Sequence, residues 1–241
     1  YDITFINRNV GKKATTYLQH CQYRGVDGVV IACVDFDDPQ VLELVNSKLP
    51  VVTIDHVFNN RAAVVSDNVR GMEELVRYVY AKGHRRIAFI HGEQTAVTEN
   101  RLTGFYRACD ALELEIPDAY IREGVYHDPD RCAELTRELL RLPEPPTCIL
   151  MPDDFSSIGG RNAIHRMDLR LPEDISVAGY DGIQLASVTN PAMTTYRQDT
   201  AALGKTAAAK LIELIEKPRT ALVDRILIPG KLVEGGSVRA I

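Results

Sequence analysis

Short apolar runs alternate with amphipathic stretches along most of the 241 residues. The apolar runs are rich in β-branched residues, and the stretches between them space apolar side chains three and four positions apart, as a helix requires. Strands are predicted near residues 3–6, 28–33, 51–54, 86–91, 147–151 and 175–179. Helices are predicted near residues 13–24, 39–48, 68–82, 100–114, 131–142 and 156–167. This alternation predicts an α/β protein built on doubly wound parallel sheets.

Aspartates follow three of the predicted strands. They are Asp55, Asp153 with Asp154, and Asp181. Ligands bind beyond the carboxyl ends of the strands in an open parallel sheet, so these side chains are expected at a binding edge. Charged hydrogen bonds from hydroxyl groups to carboxylates are worth about 1.5–3 kcal/mol each, which favours a hydroxyl-rich small molecule. The alternative is structural: Asp55 and Asp181 as turn residues, and Asp153 or Asp154 as a helix cap worth about 1 kcal/mol.

Composition narrows the class of protein. The hydrophobic fraction of 45% and charged fraction of 25% are typical of a soluble globular protein, and a net charge of −5 argues against this chain holding nucleic acid by itself. No apolar run approaches the roughly 18 residues of a membrane helix. The five cysteines lack CxxC spacing, which favours reduced thiols in the cytoplasm. No metal spacing, phosphate-binding glycine loop or nucleophile elbow is present, so no cofactor and no metal are predicted.

Ten short motifs follow one another through the chain. They are 24–30 (RGVDGVV), 50–55 (PVVTID), 66–68 (SDN) with Gly71, 82–88 (KGHRRIA), 101–105 (RLTGF), 172–181 (PEDISVAGYD), Pro191 with Thr194 and Thr195, Gln198 with Asp199, Leu203 with Gly204, and 232–234 (LVE). In this order the motifs resemble the effector-binding core of lac-repressor/galactose-repressor (LacI/GalR) family transcription regulators. The resemblance spans essentially the whole chain.

The resemblance implies two α/β lobes of the periplasmic-binding-protein-like type I fold, joined by three crossovers, with the effector in the cleft. The first lobe is expected at residues 1–66 and 197–223, and the second at 67–196 and 224–241. A helix near 200–216, ended by Pro218, would pack on the first lobe. The DNA-binding helix-turn-helix of the family is expected to be absent from this chain. The first strand of the first lobe is also expected to be missing, since its sheet would otherwise have a gap in the middle.

Six effector-binding residues follow from the resemblance: Asp55, Arg101, Tyr126, Asp153, Asp181 and Gln198. Arg101 would offset the converging carboxylates, although it could also be an ordinary surface cation of an amphipathic helix. Tyr126 matches a position where an aromatic ring often stacks on the ligand, although a lone aromatic side chain is usually packing. Asp153 replaces a common asparagine, Gly182 a frequent second acid, and Gly235 a common arginine. These departures leave the identity of the effector open.

The leading hypothesis is the effector-sensing core of a bacterial DNA-binding transcription regulator, a repressor controlled allosterically by a small sugar or sugar derivative. A purine is the alternative effector. The expected partners are that effector, operator DNA through a domain not present in this chain, and a second copy in a homodimer; no membrane partner and no enzymatic activity are expected. A sugar-binding protein of a transport system is the second hypothesis, which the five unpaired cysteines disfavour. A glycoside hydrolase using two of Asp55, Asp153 and Asp181 is the third.

Overall fold

The computed structural model describes residues 1–6 and 15–241 and divides the chain into two compact units. Unit 1 comprises Tyr1–Val65 and Thr200–Ile228, and unit 2 comprises Ser66–Asp199 and Pro229–Ile241. Each unit carries helices around its own sheet, and most strand pairs are parallel. The predicted α/β class with doubly wound parallel sheets is confirmed.

Unit 1 contains a four-stranded sheet in the order β1-β2-β3-β9. Its strands are β1 (Val29–Ile31), β2 (Val51–Ile54), β3 (Ala62–Ser66) and β9 (Arg225–Ile228), and its helices are α1 (Tyr17–Arg24), α2 (Pro39–Val45) and α8 (Thr200–Glu216). One core cluster joins α1 and α2 to the sheet, with Val41 and Leu44 at its centre. A second cluster includes Leu203 and Ala207 of α8. Strands covered by helices on both faces must be apolar throughout, which explains the continuous apolar run of β2.

Unit 2 contains a six-stranded sheet in the order β10-β8-β7-β6-β4-β5, in which β10 runs antiparallel to β8. Its strands are β4 (Ile87–His91), β5 (Ile121–Glu123), β6 (Cys148–Leu150), β7 (Ser176–Asp181), β8 (Thr194–Arg197) and β10 (Lys231–Val233). Its helices are α3 (Asn68–Ala81), α4 (Ala96–Ala111), α5 (Pro129–Leu140), α6 (Ser157–Arg166) and α7 (Gln184–Val188), with a 3-10 turn at Asp118–Tyr120. Helices α3 and α4 pack in one core cluster, and α5 and α6 in another.

Local capping chemistry sets several helix boundaries. Asp67 accepts a hydrogen bond from the Arg70 amide at the start of α3, and Asp128 caps α5 immediately before Pro129. Helix α1 begins with a capping box, in which the Thr16 side chain accepts from the Gln19 amide. These side chains satisfy amide groups that the first helical turn leaves unpaired.

The structure corrects three sequence predictions. Residues 1–6 form no strand: Ile3 is 82% exposed and Phe5 is 95% exposed, because apolar side chains alone do not supply a neighbouring strand to pair with. The helix predicted from residue 13 begins at Tyr17; residues 13 and 14 lie outside the described residues. The division expected at 223 falls after Ile228, because β9 belongs to the sheet of unit 1.

Several short elements were not predicted: β3, β5, β8, β9, β10 and α7. All six are five residues or fewer, so they show too few positions for a periodicity to emerge. In the described part of the chain, no helix is both long enough and apolar enough to cross a membrane. No grouping of His, Cys, Asp and Glu that could hold a metal ion occurs among those residues either.

Candidate functional site

Arg101 is the centre of a buried polar network at the carboxyl edge of the sheet in unit 2. Helix α4 carries this side chain, which is 3% exposed. Its Nε donates to Asn68 Oδ1 at 2.9 Å, its Nη1 to the Pro152 carbonyl at 2.8 Å, and its Nη2 to Asp181 Oδ1 at 3.2 Å. These partners come from the start of α3 and the ends of β6 and β7. The guanidinium group therefore ties three elements together at one point.

Two tyrosine rings flank the same guanidinium group. Its central carbon lies 3.6 Å from the centroid of the Tyr180 ring and 5.4 Å from that of Tyr126. A cation over an aromatic face is attracted by the quadrupole of the ring. Burial by itself lowers the pKa of Arg101, but Tyr126 and Asp181 act in the opposite direction and the net shift is upward. The site therefore contains a permanent, fixed positive charge.

Tyr126 is held in place by its hydroxyl group and by a glycine. The hydroxyl lies 2.9 Å from Thr98 Oγ1, and the Tyr126 amide donates to Glu93 at 2.8 Å. Its ring rests on the backbone of Gly92, where any Cβ atom would overlap it. The ring is thus positioned before any ligand arrives.

Asp181 supplies the carboxylate opposite Arg101. It is the last residue of β7 and has a φ of +96°, which is rare for a residue with a side chain. Its Oδ1 accepts from Arg101 and from Gln198 Nε2 at 2.6 Å, while Gln198 Oε1 accepts from Ser66 at 2.6 Å. No described residue donates to Oδ2, and the side chain is 21% exposed. One oxygen of this carboxylate is therefore available as an acceptor.

Both carboxylate oxygens of Asp153 accept hydrogen bonds, from its own loop and from the segment before α5. It has no exposed surface, and its Oδ1 accepts from the Ser156 amide at 2.7 Å. Its Oδ2 accepts from Ser156 Oγ at 2.6 Å and from the His127 amide at 3.0 Å. Asp153 is not the N-cap of α6, which is Ser156; its bonds instead hold the turn that precedes this helix.

Asp154 and Asn68 belong to the network but were not predicted as site residues. Asp154 is 2% exposed; its amide donates to the Tyr180 carbonyl at 2.9 Å, and its Oδ2 accepts from the Ile183 amide at 3.0 Å. Burial raises the pKa of Asp154 to about 7. Asp154 lies in the turn that leads into α6, where the alternation of side chains along a strand no longer applies, so no pattern in the sequence singled it out. Asn68 belongs to the motif at 66–68, but nothing in that motif indicated a contact with Arg101.

Asp55 lies in unit 1, directly after β2, with a φ of +58° and its amide donating to the Val64 carbonyl at 3.0 Å. An aromatic cluster lies at the same carboxyl edge. The rings of Phe36 and His56 are stacked with centroids 4.3 Å apart, and Phe58 lies 4.5 Å from His56. Burial lowers the pKa of His56. Of the six predicted site residues, the structure thus brings together Arg101, Tyr126, Asp181 and Gln198, whereas Asp153 serves its loop and Asp55 belongs to the other unit.

The class of protein follows from the match of residues 76–238 to the periplasmic binding protein-like domain family, to which the chain therefore belongs. Over 237 residues it is 29% identical to the HTH-type transcriptional repressor PurR of Escherichia coli O139:H28, covering 95% of this chain and 69% of the repressor. A structure of a putative transcriptional regulator LacI from Bacillus cereus subsp. cytotoxis NVH 391-98 has a TM-score of 0.85 at 25% identity, covering 93% of this chain and 80% of that chain.

A complex of the transcriptional regulator CelR with cellobiose has a TM-score of 0.79 at 27% identity, covering 92% of this chain and 71% of that chain. With these relatives, the protein is the effector-binding core of a LacI/GalR-family transcription regulator, as the motifs indicated.

Proposed function

We propose that the polar edge of unit 2 binds a mono- or disaccharide effector, and that this binding controls the operator affinity of a repressor. The observation that carries the proposal is the pairing of Arg101 with Asp181, which sets a fixed donor group beside a carboxylate that still has one free oxygen. The two side chains come from α4 and β7 and are held by further bonds, so the pair exists before a ligand binds.

Adjacent hydroxyl groups of a sugar match this pair chemically. A guanidinium group has five N–H donors, and the three bonds of Arg101 leave two of them. One hydroxyl could accept from Arg101 while its neighbour donates to Asp181 Oδ2. The Tyr126 ring beside Arg101 adds an apolar face on which C–H groups of a sugar ring could rest.

The other predicted residues take different parts in this proposal. Gln198 bridges Ser66 and Asp181, so it holds the carboxylate in place. Asp153 holds the loop between β6 and α6, because its oxygens are already engaged. Asp55 remains a predicted effector contact. The cellobiose complex of CelR and the repressor PurR among the relatives support the choice of a sugar and of repression.

Calorimetric titration with cellobiose, ribose, sugar phosphates and purines tests the effector class. We expect at least one sugar to bind, and Asp181→Asn to weaken that binding by about 10- to 100-fold, since one charged hydrogen bond becomes neutral. The matched control is Asp174→Asn, which removes an exposed carboxylate paired with Arg170 at 2.9 Å. Purine binding with flat sugar titrations would contradict the sugar assignment. Equal weakening by both variants would contradict the site.

The proposal also includes allosteric coupling within a homodimer, as the family resemblance implies. An effector controls the operator only if it binds one of two conformations more tightly, typically by about 1–3 kcal/mol. The net charge of −5 supports DNA contact through a part of the regulator other than this core. Sedimentation velocity with and without the bound sugar measures the oligomeric state; a monomer at all concentrations would contradict the dimer.

A further inference from the structure

Asp154 makes hydrogen bonds to the backbone on both sides of Asp181, the residue with the free carboxylate oxygen. Its amide donates to the carbonyl of Tyr180 at 2.9 Å, and its Oδ2 accepts from the amide of Ile183 at 3.0 Å. Asp181 lies between these two anchored positions. One residue in the turn between β6 and α6 therefore bonds the chain before and after Asp181.

The segment between the anchors has a backbone that needs support. Asp181 has a φ of +96° and Gly182 a φ of +69°. A positive φ at a residue with a Cβ atom is unfavourable and persists only where the surroundings enforce it. The Gln198 amide donates to the Asp181 carbonyl at 3.2 Å, and the two hydrogen bonds that Asp154 makes, to the Tyr180 carbonyl and from the Ile183 amide, hold the chain on either side of this turn.

The cost of burying the Asp154 carboxylate indicates that its location has a use. Oδ1 lies against Gly179 of β7, where a Cβ atom would overlap it, and has no hydrogen-bond partner among the described residues. Thr195 of β8 pairs with Gly179 and lies close enough to lower the pKa of Asp154. The nearby titratable group acting on this carboxyl group is Asp181, which disfavours its ionisation. If this side chain served only packing, an apolar side chain of similar size would fill the space without the free-energy cost of burying a carboxyl group.

We infer that Asp154 is a positioning residue of the effector site: by accepting the Ile183 amide and anchoring Tyr180, it aims the Asp181 carboxylate at Arg101. The inference rests on the proposed function in one respect, that Asp181 contacts the effector. The positioning itself is a property of the ligand-free protein and can be measured without any sugar.

The ligand-free test is the hydrogen exchange rate of the Arg101 guanidinium protons, followed by NMR and assigned by their loss in Arg101→Lys. Asp154→Ala removes the acceptor, and Ile183→Pro removes the donor from the opposite side, at a residue whose φ of −66° suits proline. Each variant is expected to speed the exchange about tenfold, because the ion pair opens more often. Asp154→Asn keeps an acceptor for the Ile183 amide and is expected to stay within about threefold of the parent. Should Asp154→Ala fail to fold, Ile183→Pro decides.

The matched control is Asp128→Ala, which removes another carboxylate of unit 2 that accepts a single backbone amide, from Arg131 at 2.9 Å. It is expected to leave the Arg101 exchange rate unchanged. Unchanged exchange in Ile183→Pro would overturn the inference, as would equal acceleration by Asp128→Ala.

A calorimetric titration of the same variants with cellobiose separates this inference from the proposed function. We expect the dissociation constant to rise about tenfold in Asp154→Ala and in Ile183→Pro. In Asp154→Asn it should stay close to that of the parent protein. Faster exchange in a protein that does not bind cellobiose would support the positioning role and count against the sugar assignment. Cellobiose binding that all variants share, with unchanged exchange, would support the site and overturn the role of Asp154.

Discussion

The two units place an aspartate of positive φ at the end of a strand but surround it with different chemistry. Asp55 follows β2 of unit 1 with a φ of +58°, and Asp181 ends β7 of unit 2 with a φ of +96°. Around Asp181 lie a buried guanidinium group and the amide of Gln198. The corresponding edge of unit 1 carries the stacked rings of Phe36 and His56. The end of a strand determines the position of the aspartate, and the side chains of the neighbouring helices and loops determine what the aspartate can bind.

This difference separates an edge built around a buried ion pair from one built around stacked rings. Arg101 keeps its charge at every accessible pH because its pKa is raised, whereas burial lowers the pKa of His56 and favours its neutral form. A fixed charge gives directional recognition of polar groups, and neutral rings give a stacking surface. The comparison predicts that the buried pair of Arg101 and Asp181 contributes much more to the stability of unit 2 than an exposed ion pair does.

Arg101→Ala is expected to have the largest effect. The substitution leaves the Asp181 carboxylate, the Asn68 side chain and the Pro152 carbonyl without their shared donor. Removing one partner of a buried pair typically costs about 3–5 kcal/mol, and we expect a loss of this size in the free energy of unfolding. Urea denaturation followed by circular dichroism measures it.

The control for this substitution is Arg170→Ala, which breaks an exposed pair with Asp174 at 2.9 Å. Solvent screens an exposed pair and leaves it little net effect on stability, so the two arginines should differ several-fold in their effect on unfolding. Equal losses from both variants would show that the charged edge of unit 2 is not energetically special.

The second prediction concerns pH and Asp154. Its carboxyl group has a pKa near 7 in the folded chain, above the value of 3.8 for an exposed group. A raised carboxyl pKa means that the folded state binds more protons than the unfolded state between the two values. The contribution of Asp154 is therefore fully present below about pH 4 and is lost as pH rises through about 7, by up to about 4 kcal/mol.

Asp154→Asn removes this titration, so the difference in unfolding free energy between parent and variant should change with pH. Urea denaturation of both proteins at about pH 4.5 and about pH 7.5 measures the change, and the variant should gain relative to the parent at the higher pH. A difference that stays constant between these two pH values would mean that the carboxyl group titrates in its ordinary range.

Local features of the fold were accessible from the sequence, because their causes are local. The helix predicted near 68–82 coincides with α3, which Asp67 caps, and the predicted helix at 200–216 coincides with α8. The apolar run at 51–54 coincides with β2. Residues 1–6 show the limit of such inference, since an apolar pattern cannot report whether a pairing partner exists.

The candidate site was accessible only in part. Arg101, Tyr126, Asp181 and Gln198 were named through family motifs, and the structure brings them together. The bond from the Ile183 amide to Asp154 joins residues 29 positions apart and depends on the register of β6 against β7. No local pattern encodes such a contact, so Asp153 and Asp154 could not be told apart before their surroundings were known.

The third prediction concerns a glycine in a helix of each unit, Gly104 in unit 2 and Gly204 in unit 1. Gly104 of α4 faces α3 so closely that a Cβ atom would overlap the Val69 carbonyl oxygen and lie 3.1 Å from Met72 Cβ. Gly104→Ala should therefore push the two helices apart, at a cost of about 1–3 kcal/mol in unfolding free energy. Thermal and urea unfolding measure the loss. A neutral or stabilising result would show that the α3–α4 contact yields without cost.

Gly204→Ala is the counterpart in unit 1 and carries the smallest expected effect, of opposite sign. Gly204 lies inside α8, is exposed, and has no atom within 4 Å of the place where a Cβ would stand. Alanine loses less backbone entropy than glycine when a helix forms, so the variant should gain about 0.5–1 kcal/mol in unfolding free energy. Urea denaturation beside Gly104→Ala checks both signs in one experiment. A loss of stability in Gly204→Ala would mean that a partner molecule packs closely on this face of α8 in solution and leaves no room for a Cβ atom. The two glycines would then no longer differ in whether a Cβ atom fits.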